Sequence, residues 1–136
     1  MKVILDSNTI IMMGKGIITC SMLERLIERR FDLVTTSTVI NELNNLSENN
    51  SKAISKAIKF ALSLVKDKLT IINTDNIADA DDSIFYVAYS LRNNENDVYV
   101  VTSDKELRGR LRLIGVPTIY FRNSRSGLEL EWDNVS

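Results

Sequence analysis

The sequence contains no histidine, and this absence excludes several kinds of enzyme at once. Without histidine there is no Ser-His-Asp triad, no Cys-His pair and no histidine general base. If the chain is a hydrolase, carboxylates and metal ions are the natural means that remain. Nothing in the sequence indicates a mechanism based on lysine or tyrosine instead.

Cysteine and long apolar runs are also scarce. The single Cys20 cannot form an internal disulfide, which favours a reduced compartment. No apolar run approaches the roughly 18 residues that indicate a membrane-spanning helix. The N-terminus leads straight into a predicted strand and shows no signal-peptide pattern. We therefore expect a cytoplasmic protein with no membrane partner.

Charge of one sign is not in large excess, because the net charge is −1, so global charge does not indicate nucleic-acid binding. The C-terminal third is nevertheless locally basic, with Glu106 as the only acid between Lys105 and Arg125. A local basic patch can bind phosphates while the whole molecule stays near neutral. The candidates for contacts with a nucleic-acid backbone are Lys105, Arg108, Arg122 and Arg125. A solvated helix face explains these residues equally well, since surface Lys and Arg are common.

Predicted strands alternate with predicted helices along the whole chain. The strand segments are residues 2–5, 31–35, 69–72, 98–101 and 118–121, and 3.6-residue apolar periodicity lies between most of them. Alternation of this kind predicts an α/β fold, a three-layer α/β/α sandwich around a central parallel sheet of about five strands. No repeat or linker is visible, so residues 1–136 are expected to form a single domain. The Asn-rich residues 44–51 indicate a turn, and residues after 121 a polar tail.

Acidic residues follow several of these strands where each strand ends. Asp6 closes the first strand and Asp104 lies just beyond the fourth, while Glu42, Asp81 and Asp82 lie near the starts of the helices after the second and third. The carboxyl ends of parallel strands share one edge of a sheet, so these side chains can converge there. Hard cations such as Mg²⁺ and Mn²⁺ take oxygen ligands. Each acid alone also fits an ordinary helix cap or dipole partner.

Four sequence blocks resemble those of the PIN domain, the nuclease domain of VapC-type toxins and of ribosomal-RNA-processing endonucleases. They occur in the family's order and cover nearly the whole chain: residues 3–8 (VILDSN), 39–43 (VINEL), 80–84 (ADDSI) and 101–107 (VTSDKEL). The resemblance implies an acidic quartet that binds one or two Mg²⁺ or Mn²⁺ ions, formed by Asp6, Glu42, Asp82 and Asp104. Asp82 fits the family pattern better than Asp81, because it directly precedes a small and an aliphatic residue; Asp81 is an auxiliary candidate. Asn8 and Thr102 match positions that support the site.

The function implied by this resemblance is metal-dependent endoribonucleolytic hydrolysis of RNA phosphodiester bonds. One alternative is a VapC-type toxin neutralised by an antitoxin, and another is a non-catalytic PIN-like scaffold that binds RNA or protein. A ribosome-assembly partner is the counterpart of the processing role. A receiver-like signalling module does not fit. It needs a phosphorylatable aspartate after the third strand and a lysine after the fifth, where the chain has Asn73-Thr74 and Arg122.

Two further sets of apolar and aromatic residues carry weaker predictions. Met12 and Met13 precede a Gly14-Lys15-Gly16 loop, which we interpret as a flexible lip near the site. Together with the helix from Met22 to Ile27, the two methionines also offer a surface for the homodimer that the resemblance implies. The aromatic side chains that could stack on RNA bases are Tyr86, Tyr89 and Trp132, although packing is the favoured interpretation for the two tyrosines.

Overall fold

The fold is a twisted sheet of six strands with helices on its faces, seen in a computed structural model that describes residues 1–94 and 96–131. In chain order the elements are β1 (Lys2–Leu5), α1 (Ser7–Gly14), α2 (Cys20–Ile27), β2 (Asp32–Thr36), α3 (Ser37–Asn49), α4 (Lys52–Val65), β3 (Leu69–Ile72), α5 (Ala80–Asn93), β4 (Val98–Val101), α6 (Lys105–Leu113), β5 (Thr118–Arg122) and β6 (Gly127–Glu131). Trp132, named above as a stacking candidate, lies outside the described residues.

The strands lie in the order β3-β2-β1-β4-β5-β6. The first five are mutually parallel and β6 runs antiparallel to β5. The predicted fold class is therefore confirmed, with six strands where about five were expected. The sixth forms because Leu128 and Leu130 alternate with two glutamates, which suits a half-buried edge strand, and pair with Phe121 and Ile119. A short polar turn at Asn123–Arg125 precedes this strand and hides its pattern in the sequence.

The central strands are buried on both faces, which explains why they are continuous apolar runs. Val3, Ile4 and Leu5 of β1 are fully buried. In β4, Val100 is fully buried and Val101 is 1% exposed. Such strands hold the residues at their carboxyl ends in fixed positions. Strands β1 and β2 lead directly into helices capped by Asp6 and Thr36, and three residues join β4 to the helix capped by Asp104.

Helix α1 is not evident from periodicity, and its packing alters the predicted dimer surface. Met13 is buried in the core, and Leu23 of α2 is fully buried. Much of the apolar surface assigned to a homodimer therefore packs within the chain itself. None of the helices among residues 1–94 and 96–131 is both long and apolar enough to cross a membrane.

Candidate functional site

An acidic cavity of about 460 Å³ opens at the carboxyl ends of β1 and β4. The chain passes from β1 to β2 on one side of the sheet and later to β4 on the other, so this edge is a topological switch point, where open α/β sheets bind ligands. Five acids line the cavity: Asp6, Glu42, Asp79, Asp81 and Asp104. Ser7, Asn8 and Ser103 supply uncharged oxygen and nitrogen atoms to the same cavity.

Asp6 is the most enclosed of these acids. It is 6% exposed, and its Oδ1 accepts a hydrogen bond of 2.8 Å from the backbone N–H of Thr9, which makes it the N-cap of α1. Burial raises the pKa of Asp6, and the nearby Asp104 raises it further, while hydrogen bonds from Thr102 and Thr9 oppose both effects. The hydroxyl of Thr9 donates to the carbonyl of Val101 at 2.9 Å and so ties α1 to β4.

Asp104 occupies the equivalent position after β4. Its Oδ1 accepts a hydrogen bond of 2.8 Å from the backbone N–H of Leu107, and its own N–H donates to Thr102 Oγ1 at 3.1 Å. Thr102, which the resemblance predicts to support the site, is fully buried and hydrogen-bonds to both Asp6 and Asp104. A carboxylate offers about four lone-pair sites on its two oxygens, so these hydrogen bonds leave acceptor sites on both aspartates for a ligand.

The structure brings Asp81 into the cavity and leaves Asp82 outside it, which reverses the preference drawn from the sequence. Burial and then repulsion from Asp104, Asp6, Asp79 and Glu42 raise the pKa of Asp81 to about 6. The carboxylate of Asp82 is 54% exposed and accepts a hydrogen bond of 2.9 Å from Arg110 Nη1. Neighbouring residues of an α-helix differ by about 100° in direction, and the side chain of Asp82 is directed toward Arg110 of α6 instead of into the cavity.

Hydroxyl groups hold the loop that delivers Asp79 and Asp81. The Thr38 hydroxyl lies 2.8 Å from the carbonyl oxygen of Ile77, 2.9 Å from that of Thr74 and 2.7 Å from Thr74 Oγ1. The backbone N–H of Thr74 donates to Ser37 Oγ at 2.8 Å. These bonds join the loop before α5 to the first turn of α3. Glu42 lies one turn further along α3, so the same network holds the helix that carries Glu42 against the loop that precedes Asp81.

The oxygen atoms in the cavity suit a hard divalent cation, although the carboxylates lie further apart than the ligands of a bound ion would. Within the described residues, no group of three or more acidic or cysteine side chains is gathered closely enough to hold an ion. The hydroxyl of Ser7 is buried in the cavity wall and has no hydrogen-bond partner there. An all-oxygen set with mutual repulsion and an unpaired hydroxyl fits Mg²⁺ or Mn²⁺, and Asp6, Glu42, Asp81 and Asp104 are the residues that would hold it.

Two glutamates of strand β6 form ion pairs with most of the basic residues that were assigned above to nucleic-acid contacts. Arg108 forms an ion pair with Glu131, and Arg122 and Arg125 pair with Glu129 at 3.0 and 3.3 Å. Arg112 also pairs with Glu131, so this arginine cluster (Arg108, Arg112, Arg122 and Arg125) sets four positive charges against two negative ones. Lys105 has no ion pair among the described residues. The sequence did not show this pairing because it depends on β6.

The aromatic candidates differ from expectation in their exposure. Tyr86 and Tyr89 on α5 are 57% and 47% exposed, so packing in the core does not account for them. The favoured packing interpretation is therefore wrong for both tyrosines. Neither of them lines the acidic cavity, so they are not part of the site itself.

A mostly parallel α/β sheet with acids lining a cavity at its switch point is the architecture that the resemblance to PIN domains implies, and comparison with known proteins supports the same family. The family model of the PIN-like domain matches residues 3–124, and the chain belongs to this family. Among solved structures it is similar to the PIN domain endonuclease Utp24, with 22% identity, 99% of this chain and 96% of that chain covered, and a TM-score of 0.73. At this identity the likeness establishes the fold. No curated protein matches the sequence significantly.

The raised pKa of Asp81 predicts that the acidic cavity lowers the free energy of unfolding by an amount that depends on pH. The pKa rises from the ordinary 3.8 to about 6, so the folded state holds its proton more tightly than the unfolded state does. Stability contributed by this group is therefore present at low pH and is lost as pH rises from about 4 to about 6. We expect Asp81→Asn to be progressively more stable than wild type across this window and by a constant margin above it. Thermal unfolding of both proteins without divalent ions at several pH values measures this margin. A margin that does not change with pH would contradict the prediction.

Proposed function

We propose that this protein is a metal-dependent endoribonuclease that hydrolyses RNA phosphodiester bonds. The observation that carries the proposal is the meeting of Asp6, Glu42, Asp81 and Asp104 in one cavity at the switch point of the sheet. Membership of the PIN-like family supports it, as does similarity over nearly the whole chain to a structure described as an endonuclease. Asp81 replaces Asp82 in the quartet predicted from the sequence.

One or two Mg²⁺ or Mn²⁺ ions complete the proposed site. When bound, such an ion supplies Lewis-acid activation of the attacking water and neutralises charge at the phosphate. The protein's contribution is to hold the ligands still. Asp6 and Asp104 are fixed by their capping bonds, and Thr102 fixes the two acids relative to each other. The chain has no histidine to act as a general base, so the role of the carboxylates is to position the ion and the substrate.

RNA must reach a cavity whose own charge repels phosphate, so cations near its edge are needed. Lys105 is the first residue of α6 and follows Asp104 directly. We assign it a contact with a phosphate next to the cleaved bond. The arginine cluster retains an excess of two positive charges after its pairing with Glu129 and Glu131, which suits a more distant stretch of RNA backbone.

Replacement of either capping aspartate is expected to remove cleavage without unfolding the protein. Asn is as good an N-cap as Asp, so Asp6→Asn and Asp104→Asn retain the hydrogen bonds to Thr9 and Leu107. They remove the negative charge that a divalent ion requires. We expect Mn²⁺-dependent cleavage of RNA to fall by about 100-fold or more in each variant, equivalent to about 2.7 kcal/mol of barrier.

The control for this experiment is Asp67→Asn, which removes an exposed acid from the turn between α4 and β3 at the opposite edge of the sheet. It is expected to cleave at the wild-type rate. Full Mn²⁺-dependent cleavage by both cavity variants would overturn the proposed function. Circular dichroism on all three variants establishes that each is folded.

A further inference from the structure

A second groove, of about 430 Å³, begins where the acidic cavity ends. Helix α3 forms one side of it, and the loop before α5 forms the other. Glu42 lines both the acidic cavity and this groove, so the two spaces are adjacent. Four asparagines line the helix side, and we call this space the asparagine groove: Asn41, Asn45, Asn49 and Asn50.

The spacing of these asparagines places amide groups along the groove. Asn41, Asn45 and Asn49 are four residues apart and share a face of α3, with a rise of about 6 Å between successive members. The side-chain amides of Asn41 and Asn45 make no hydrogen bond within residues 1–94 and 96–131. The Asn49 amide donates to the backbone carbonyl of Asn45 at 2.9 Å, which leaves its Oδ1 open.

The charges around the groove do not suit phosphate. Its lining contains no Lys or Arg and includes two acids, Glu42 and Asp75. An asparagine amide offers one acceptor and two donor hydrogens, the combination that pairs with nucleobase edges. Leu46, Ile77 and Ala78 add apolar surface to the same groove, suited to the face of a base. Uncharged amides beside apolar surface therefore favour a base over the sugar-phosphate backbone.

We infer that the asparagine groove is a subsite that recognises the base of a single-stranded RNA nucleotide next to the cleaved phosphate. This rests on the proposed function, since the acidic cavity sets where the phosphate lies. Single strands present their base edges for recognition, whereas an RNA duplex conceals them. Glu42 at the junction places the base within one nucleotide of the reacting bond. Asn41 and Asn45, whose amides have no other partner in the described residues, are the residues that determine the preference.

The test compares cleavage of short RNA oligonucleotides in which the nucleotides flanking the cleaved bond are varied. We expect wild type to prefer one base at one flanking position. In the double variant Asn41→Ala, Asn45→Ala, the ratio of rates between best and worst base falls by about 5- to 100-fold, chiefly through a lower rate on the best base. Asn44→Ala is the matched control, because Asn44 lies beside Asn45 on α3, is exposed and does not line the groove. It retains the wild-type preference.

A binding measurement separates failure of this inference from failure of the proposed function. Fluorescence anisotropy measures the affinity of six-nucleotide oligoadenylate, oligouridylate, oligocytidylate and oligoguanylate in Mg²⁺, using Asp6→Asn as the background so that the probes stay intact. If wild type cleaves no RNA but base-dependent affinity is lost in the double asparagine variant, the proposed function fails and the groove assignment stands.

If wild type cleaves RNA and the double variant keeps both the same base preference and the same affinities, the groove assignment is overturned while the nuclease assignment stands. That result is also expected if the groove holds a protein segment. Absence of any base preference in wild type, in cleavage and in binding, overturns the inference as well. Thermal unfolding of the double variant, whose exposed positions tolerate alanine, verifies that it is folded.

Discussion

Asp81→Asn is expected to abolish metal-dependent RNA cleavage, with a loss of about 100-fold or more, whereas Asp82→Asn should remain within about fivefold of wild type. Asp81 lies in the acidic cavity, where burial and four neighbouring acids raise its pKa to about 6. Asp82 is exposed and forms an ion pair with Arg110. An exposed pair of this kind contributes about 0–1 kcal/mol, so its loss has little effect on either fold or rate.

The two variants control for each other. Both remove one carboxylate from the first turn of α5, and both therefore weaken its favourable interaction with the helix dipole to a similar degree. Any difference in cleavage then reports on the cavity. The measurement is the rate of RNA cleavage at saturating Mn²⁺ for both variants. Loss of cleavage in Asp82→Asn with retention in Asp81→Asn would restore the quartet preferred from the sequence and contradict the placement of α5.

The choice between these two acids shows what the sequence can and cannot predict. Asp6 and Asp104 are placed by strand ends, and a buried apolar run followed by an acid is visible in sequence. Asp81 and Asp82 begin a helix whose rotation is set by buried residues further along it, Ile84, Val87 and Ala88. A shift of one residue in that helical phase exchanges the two acids. Sequence resemblance favoured Asp82, whereas the packing of α5 places Asp81 in the cavity.

The asparagine groove and strand β6 were missed for related reasons. Residues 44–51 have the composition of a turn, but α3 continues to Asn49 because Leu46 packs against the core and Ser47 hydrogen-bonds to Ser55 of α4 at 2.9 Å. Tertiary contacts outweigh the weak helical propensity of asparagine here. In β6 the apolar positions pair with β5, and Glu131 meets Arg108, which lies 23 residues earlier in the chain. Pairing over such distances cannot be derived from local pattern.

Among substitutions of a glycine by alanine in this chain, Gly14→Ala is expected to lower the free energy of unfolding most. Gly14 ends α1 where α1 crosses α4, and a Cβ atom there would lie 1.9 Å from the carbonyl oxygen of Ala57. That oxygen is backbone and cannot rotate away, so the two helices must separate. Overpacking of this kind costs about 1–3 kcal/mol. Urea unfolding followed by circular dichroism measures the change in the free energy of unfolding.

Gly109→Ala is the matched comparison, because Gly109 lies inside α6 and an added Cβ meets no atom within 4 Å. It is expected to raise the free energy of unfolding by about 0.5–1 kcal/mol through the better helix propensity of alanine. Movement of α1 also displaces Ser7 and Asn8, which line the acidic cavity, and the N–H of Thr9 that donates to Asp6. Gly14→Ala should therefore slow RNA cleavage under conditions where the protein remains folded, and Gly109→Ala should not. Equal stability of the two variants would show that α1 and α4 do not approach as closely as the structure places them.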